Sequence, residues 1–143
     1  MNLMIVEDDA VTAMGMRDTL EAAGHKVVGV AGHVRAAARD ARQGPDLALV
    51  DIGLLGHGDG AAFAATLWRE HHVPVLFVTG GCPDRTAIRG WAVGCLSKPF
   101  SDAELVAAVD AVGRALKGEP PAAWPSALEP FEASEALLEA RSA

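Results

Sequence analysis

The chain has 143 residues, 50% of them hydrophobic, with 19 acidic against 12 basic side chains and a net charge of −7. That length fits one domain with an ample core, and the acidic balance argues against a chain that works by gripping nucleic-acid phosphates. Aromatic residues make up only 5% and tyrosine is missing, so the core must come mainly from Ala, Val, Leu and Ile.

Taken in order, the first apolar run is Leu3-Met4-Ile5-Val6, read as a strand. A helix follows with Ala13, Met16, Leu20 and Ala23 on one face, then a second strand at Val27-Val28-Gly29-Val30. Val34, Ala37 and Ala41 mark the second helix, and Leu47-Ala48-Leu49-Val50 the third strand. Phe63 and Leu67 mark the third helix, Val75-Leu76-Phe77-Val78 the fourth strand, and Ile88 with Trp91 a short fourth helix. A weaker fifth strand is Cys95-Leu96-Ser97, and Leu105, Val109, Val112 and Leu116 form the clearest helical stripe. Ser101 followed by Glu104 has the spacing of a capping box at its start. Gly24, Gly44-Pro45, Val73-Pro74 and Gly94 punctuate the helix-to-strand returns.

The four main strand runs are continuous rather than alternating, as expected of strands covered on both faces of a parallel sheet. Strict β-α alternation with short connections implies an α/β, doubly wound (βα)5 domain over residues 1–117. This is a flavodoxin-like three-layer sandwich whose five-stranded parallel sheet has the order 2-1-3-4-5. Beyond Lys117 the composition changes. Gly118 to Pro125 reads as a stiff Pro-rich linker, and residues 131–141 as a short amphipathic helix with Phe131, Ser134 and Leu138 on one face. Trp124 is expected to dock on the domain or a partner. The tail, 118–143, is too short for a DNA-binding output domain.

The start of the chain, Met1-Asn2-Leu3 with Glu7 close behind, lacks a basic region followed by a long apolar one, and no run nears the roughly 18 residues of a membrane span. A cytoplasmic protein is expected. Cys82 and Cys95 match neither C-x-x-C nor a disulfide framework, so reduced thiols are expected. His57, His71 and His72 show no ligand spacing with each other or with the cysteines. The glycine-rich stretch 56–60 lacks the Lys-Ser/Thr of a phosphate-binding loop and reads as a plain loop.

The polar residues gain meaning from the frame. Glu7, Asp8 and Asp9 follow strand 1, Asp51 follows strand 3, Thr79 follows strand 4 and Lys98 follows strand 5. Parallel strands deliver all of these ends to one edge, so residues distant in sequence converge. Two carboxylates about 4 Å apart repel by roughly 4 kcal/mol at an effective dielectric near 20. Three carboxylates against one lysine therefore call for a divalent cation, and oxygen donors without His or Cys favour Mg²⁺. Asp8 and Asp51 are the expected direct ligands, with Glu7 acting through water and the Gly53 carbonyl completing the set. Asp51 then suits a carboxylate nucleophile toward phosphorus, with Lys98 and Thr79 meeting phosphoryl oxygens. Asp9 is assigned to the helix's first turn, where a carboxylate favours the dipole.

Four motifs, Ile5-Val6-Glu7-Asp8-Asp9, Leu49-Val50-Asp51-Ile52, Phe77-Val78-Thr79-Gly80 and Ser97-Lys98-Pro99-Phe100, resemble those of the receiver domain of two-component response regulators over about residues 2–117. The resemblance implies a phospho-acceptor at Asp51, an acidic pair at Glu7 and Asp8, a switch hydroxyl at Thr79, an essential lysine at Lys98 and a cis Lys98–Pro99 peptide. It implies Mg²⁺ as cofactor and a sensor histidine kinase or His-phosphotransfer protein as donor. Readout passes to a downstream protein target through the face formed by helix 4, strand 5 and helix 5. Such a protein is no enzyme beyond catalysing its own phosphorylation and dephosphorylation, and binds neither nucleic acid nor membrane itself. The tail has three open placements: covering that face, extending it, or joining a homodimer.

Three positions depart from the family pattern. Cys95 stands where receivers usually carry an aromatic that rotates as the Thr is drawn to the phosphoryl group. Leu55 replaces the usual Pro of the loop after the acceptor, and Gly53 and Gly81 offer no side chain to shield an acyl phosphate. Two rivals fare worse. A haloacid-dehalogenase-type phosphatase wants an Asp two residues past the nucleophile, where Gly53 stands, and a flavodoxin-like cofactor binder wants an uncharged loop where Glu7-Asp8-Asp9 stands. A degenerate receiver acting as a phosphorylation-independent interaction module draws support from Cys95 alone.

Overall fold

The computed structural model describes residues 1–55, 59–82 and 86–142. Apolar runs become strands and the striped segments pack over them. The order is β1 (Asn2–Val6), α1 (Ala10–Ala22), β2 (Lys26–Ala31), α2 (Val34–Ala41), β3 (Leu47–Val50), a short 3-10 helix (Ile52–Leu55), α3 (Asp59–His71), β4 (Val75–Thr79), α4 (Thr86–Trp91), β5 (Ala92–Ser97) and α5 (Asp102–Leu116). The tail adds β6 (Leu128–Pro130) and α6 (Glu135–Ser142). None of the helices among the described residues is long and apolar enough to cross a membrane.

Side-chain alternation divides the core into two layers. Leu3 and Ile5 of β1 join Ala13, Met16 and Leu20 of α1 and Leu105, Val109 and Val112 of α5. Met4 and Val6 point the other way, to Ala37 of α2 and Phe63 and Leu67 of α3. Each fully buried Leu, Ile or Phe contributes about 1.5–3 kcal/mol relative to exposure. The capping box of α5 is present: the Ser101 hydroxyl accepts from the Glu104 N–H at 3.1 Å, and Glu104 Oε1 accepts from the Ser101 N–H at 2.9 Å.

The sheet order is β2-β1-β3-β4-β5-β6. Its first five strands are parallel in the expected 2-1-3-4-5 order, and the sixth, antiparallel on β5, is the difference. Gly94 makes that pairing possible. A Cβ there would lie 2.8 Å from the Glu129 carbonyl oxygen, so any side chain would push β6 away. Gly118, at φ 78, turns the chain out of α5 and starts it back toward the sheet. The tail is pinned by Leu128, Phe131, Ala136 and Leu137, all buried, and Trp124 donates to Glu132 Oε1 at 2.9 Å. The tail helix starts at Glu135 rather than 131, and Leu138, expected on the packed face, is 48% exposed. The reason is that Phe131 is spent on the sheet and the buried Ser134 closes the turn before the helix.

Strand β2 also differs from expectation. It is an edge strand, only partly covered, with Val30 exposed. Ala23 caps α1 instead of packing under it. Residues 56–58 of the glycine-rich stretch, His57 among them, lie outside the described residues, and Asp59 and Gly60 already belong to α3.

The expectation of two reduced thiols is corrected: Cys82 and Cys95 form a disulfide, with Cα atoms 5.9 Å apart. Local spacing carries no sign of this, because the pairing is tertiary. Cys82 lies just past the end of β4, and Cys95 sits at the centre of its neighbour β5.

Candidate functional site

Strands β1 and β3 run in register, Val6 opposite Val50, so Glu7 and Asp51 leave the sheet side by side. The Asp51 N–H donates to the Val6 carbonyl at 2.9 Å, and the Glu7 N–H to the Ala31 carbonyl at 2.9 Å. These bonds fix the backbone from which both carboxylates project. Glu7, Asp8 and Asp51 each offer a carboxylate oxygen, all within 4.8 Å of one another. Glu7 is buried at 5% exposure, Asp51 half-buried and Asp8 exposed, so the cluster grades from the protein interior to solvent.

Lys98 arrives from the end of β5. Its Nζ donates to Glu7 Oε2 at 3.1 Å and to Asp51 Oδ2 at 3.4 Å. The other Asp51 oxygen, Oδ1, accepts from the Gly53 N–H at 3.0 Å. Thr79, at the end of β4, is buried, and its carbonyl accepts from the Lys98 N–H at 2.7 Å, which ties the two strand ends together. The Lys98–Pro99 peptide is cis, as the resemblance implied.

Burial pushes the Glu7 carboxyl above its ordinary value. The Lys98 hydrogen bond and the Asp9 N–H pull it down without cancelling that effect, and the Asp51 charge adds to the rise. For Lys98, burial opposes the charge, yet its hydrogen bond to Glu7 and the charges of Asp51 and Glu7 outweigh it and raise the ammonium above its usual value. Asp9 stands apart. The Thr12 hydroxyl, with the Thr12 and Val11 N–H groups, holds its carboxyl below the usual range, and it serves as the N-cap of α1. Its assignment to the helix start agrees with this geometry.

Three carboxylates cluster and two of them share the Lys98 ammonium, leaving negative charge in excess among the described residues at a partly desolvated point. All the clustered donors are oxygens, which suits a small hard dication of the Mg²⁺ kind and not zinc or copper. The arrangement thus fits the ion that the sequence called for. Each Asp51 carboxylate oxygen is already hydrogen-bonded, one to the Gly53 N–H and one to the Lys98 ammonium.

Residues 3–110 match the response regulator receiver domain family. The chain belongs to that family. Among its curated relatives, the response regulator protein FleR of Pseudomonas aeruginosa is 35% identical over 143 residues, covering 96% of this chain and 29% of FleR. The transcriptional activator protein IrlR of Burkholderia pseudomallei is 34% identical over 117 residues, 80% of this chain and 51% of IrlR. A solved structure, the N-terminal domain of a response regulator/sensory box/GGDEF 3-domain protein from Carboxydothermus hydrogenoformans, is 30% identical with a TM-score of 0.66. It covers 77% of this chain and 91% of that one. The receiver spans about half or less of the length of these curated relatives.

Within this receiver the structure sets Glu7, Asp8 and Asp51 within 4.8 Å of one another, places Lys98 on Glu7 and Asp51, and sets Thr79 on the adjoining strand end. Gly53 enters through its N–H on Asp51. Sequence reasoning missed the Cys82–Cys95 bond beside this rim and the Arg89–Glu129 ion pair that ties α4 to β6. No local motif signals either, since both depend on the way β4, β5 and β6 lie together.

Proposed function

We propose that this receiver is the phospho-acceptor of a His-Asp phosphorelay and that Asp51 takes the phosphoryl group. The single observation that carries the reading is the convergence of Lys98 Nζ on Asp51 Oδ2 at 3.4 Å inside a cluster of three carboxylates. An Asp51 carboxylate oxygen attacks phosphorus, the bond to the donor's imidazole nitrogen breaks, and the departing histidine takes the proton it needs from water. Lys98 shifts its ammonium from Asp51 Oδ2 to a phosphoryl oxygen, and the Thr79 hydroxyl donates to another. Gly53 keeps its N–H on Asp51 and so holds the carboxylate's orientation. Asp8, Asp51 and the Gly53 carbonyl would hold Mg²⁺ directly, with Glu7 behind a water. When bound, the ion neutralises charge on the carboxylates and the phosphoryl oxygens.

The group added carries about −1.5 to −2 charges and rearranges the loops that meet it, which is how the signal leaves the site. The donor is a sensor histidine kinase or a His-phosphotransfer protein, and the receiver of the signal is a protein target. The chain acts on its own aspartate and turns over no separate substrate. The test is intact-mass analysis after incubation with acetyl phosphate and Mg²⁺. The wild type is expected to gain one phosphate and Asp51→Asn none. Equal labelling of both would remove Asp51 from the role.

A further inference from the structure

We infer that Cys82 and Cys95 form a thiol–disulfide modification site that gates phosphorylation, acting through the short backbone link between Cys82 and Thr79. The inference rests on the phospho-acceptor reading of Asp51 and adds a redox input to it. The two cysteines cross from the β4–α4 connection to the middle of β5, with a Cα separation of 5.9 Å that lies inside the range a disulfide spans. Cys95 is fully buried, whereas Cys82 is partly exposed and within reach of solutes. A buried and an accessible cysteine in contact make an attacking and a resolving pair. Ser97 adds a polar partner, its hydroxyl lying 3.2 Å from Cys82 Sγ.

The position of the bond gives it consequence. Thr79 is paired to Ser97 in the sheet, and only Gly80 and Gly81 separate it from Cys82. A Cβ at either glycine would meet nothing within 4 Å, so this link has room to move. With the disulfide closed, both ends of the link are anchored to β5, one by hydrogen bonds and one covalently. With it open, the connection beyond Thr79 is released from β5. The oxidised form therefore resists the loop movement by which Thr79 meets a phosphoryl oxygen, and the reduced form permits it.

The chemistry balances with a peroxide as oxidant. The Cys82 thiolate attacks one peroxide oxygen, the O–O bond breaks, hydroxide leaves and a sulfenic acid remains. The Cys95 sulfur then attacks the Cys82 sulfur, the S–S bond forms and the oxygen departs as water. Overall two thiols and one hydrogen peroxide give one disulfide and two waters. A protein dithiol of the thioredoxin class returns both thiols by exchange and becomes the disulfide itself.

The test uses the full chain, reduced with dithiothreitol or oxidised with hydrogen peroxide, its state verified by thiol alkylation and intact mass. Acetyl phosphate with Mg²⁺ is then added and the phosphorylated fraction followed in time. Oxidised wild type is expected to label about tenfold more slowly than reduced, a factor usual for coupling between two sites. Cys82→Ala, at a partly exposed position, is expected to keep the reduced rate under both conditions. Reciprocity supplies a readout that needs no phosphorylation rate. The dithiol:disulfide midpoint, titrated in dithiothreitol buffers, must shift toward the thiols when beryllofluoride and Mg²⁺ are added, by the factor by which closing the disulfide weakens beryllofluoride binding. Equal or faster labelling of the verified disulfide form, or failure of peroxide to close the disulfide, would overturn the inference while leaving Asp51 as acceptor. Absence of label on the reduced chain would overturn the acceptor reading, and this inference with it.

Discussion

Two regions of the same sheet are built on opposite terms. The rim where β1, β3 and β5 end brings three carboxylates within 4.8 Å and offers them one lysine. The outer flank of β5 carries a glycine under a paired strand and the Arg89 guanidinium paired with Glu129 and stacked over Phe131. The first region is held together against its own charge and asks for a ligand. The second has its polar and apolar partners supplied by the chain itself. Folding energy thus comes from the flank and the two core layers, while the rim keeps an unmet electrostatic demand that binding and phosphoryl transfer can use.

The comparison breaks most visibly at Lys98. Replacing it with Ala removes the ammonium that meets Glu7 and Asp51 and leaves the Glu7 carboxylate buried without its cation. Phosphorylation by acetyl phosphate should slow on the order of a hundredfold, the usual loss when a preorganised charge donor is removed. A rate close to wild type would mean the excess charge is balanced some other way.

The flank is tested by Gly94→Val. The added side chain meets the Glu129 carbonyl oxygen, with a contact of only 2.8 Å already at Cβ, so β6 must shift or leave. Overpacking of this kind costs about 1–3 kcal/mol, seen as a lower urea midpoint and faster amide exchange at 128–130. Labelling of Asp51 should persist, because no rim residue moves. Loss of labelling would show that the two regions are coupled through β6.

The smallest effect belongs to pH. The carboxyl of Glu7 titrates above its ordinary value in the folded chain, so the stability it contributes is fully present below that ordinary value and is lost as pH rises through the folded one. In metal-free buffer the melting temperature should decline modestly as pH rises from the ordinary carboxylate value through the raised one, and Glu7→Gln should flatten the decline. Added Mg²⁺ should raise the melting temperature at pH 7 and reduce that slope. An identical slope in wild type and Glu7→Gln would exclude burial of Glu7 as its source.

The rim was legible in the sequence for a physical reason. Its residues stand at or just past the ends of the strand runs, and parallel pairing sends all those ends to one edge. Glu7 after Val6, Asp51 after Val50 and Lys98 after Ser97 need nothing further to be placed. The flank was not legible, because its partners are specified by tertiary contact. Leu128-Glu129-Pro130 is short and carries a Pro, so nothing in it signals a strand, yet an edge position tolerates both features. Cys82 and Cys95 belong to different elements, and only the adjacency of β4 and β5 brings them together. Edge status likewise exposes Val30 in a run that reads as covered on both faces.

The most direct measurement is the site of the acyl phosphate. Wild-type chain, reduced and incubated with acetyl phosphate and Mg²⁺, is treated with borohydride, which converts a phosphorylated aspartate to homoserine, and then digested and sequenced by mass spectrometry. The predicted result is homoserine at position 51 alone, formed only when Mg²⁺ and the phosphoryl donor are both present. Homoserine at Asp8 or Asp9, or none anywhere under those conditions, would contradict the assignment of Asp51 as the residue the rim was built to phosphorylate.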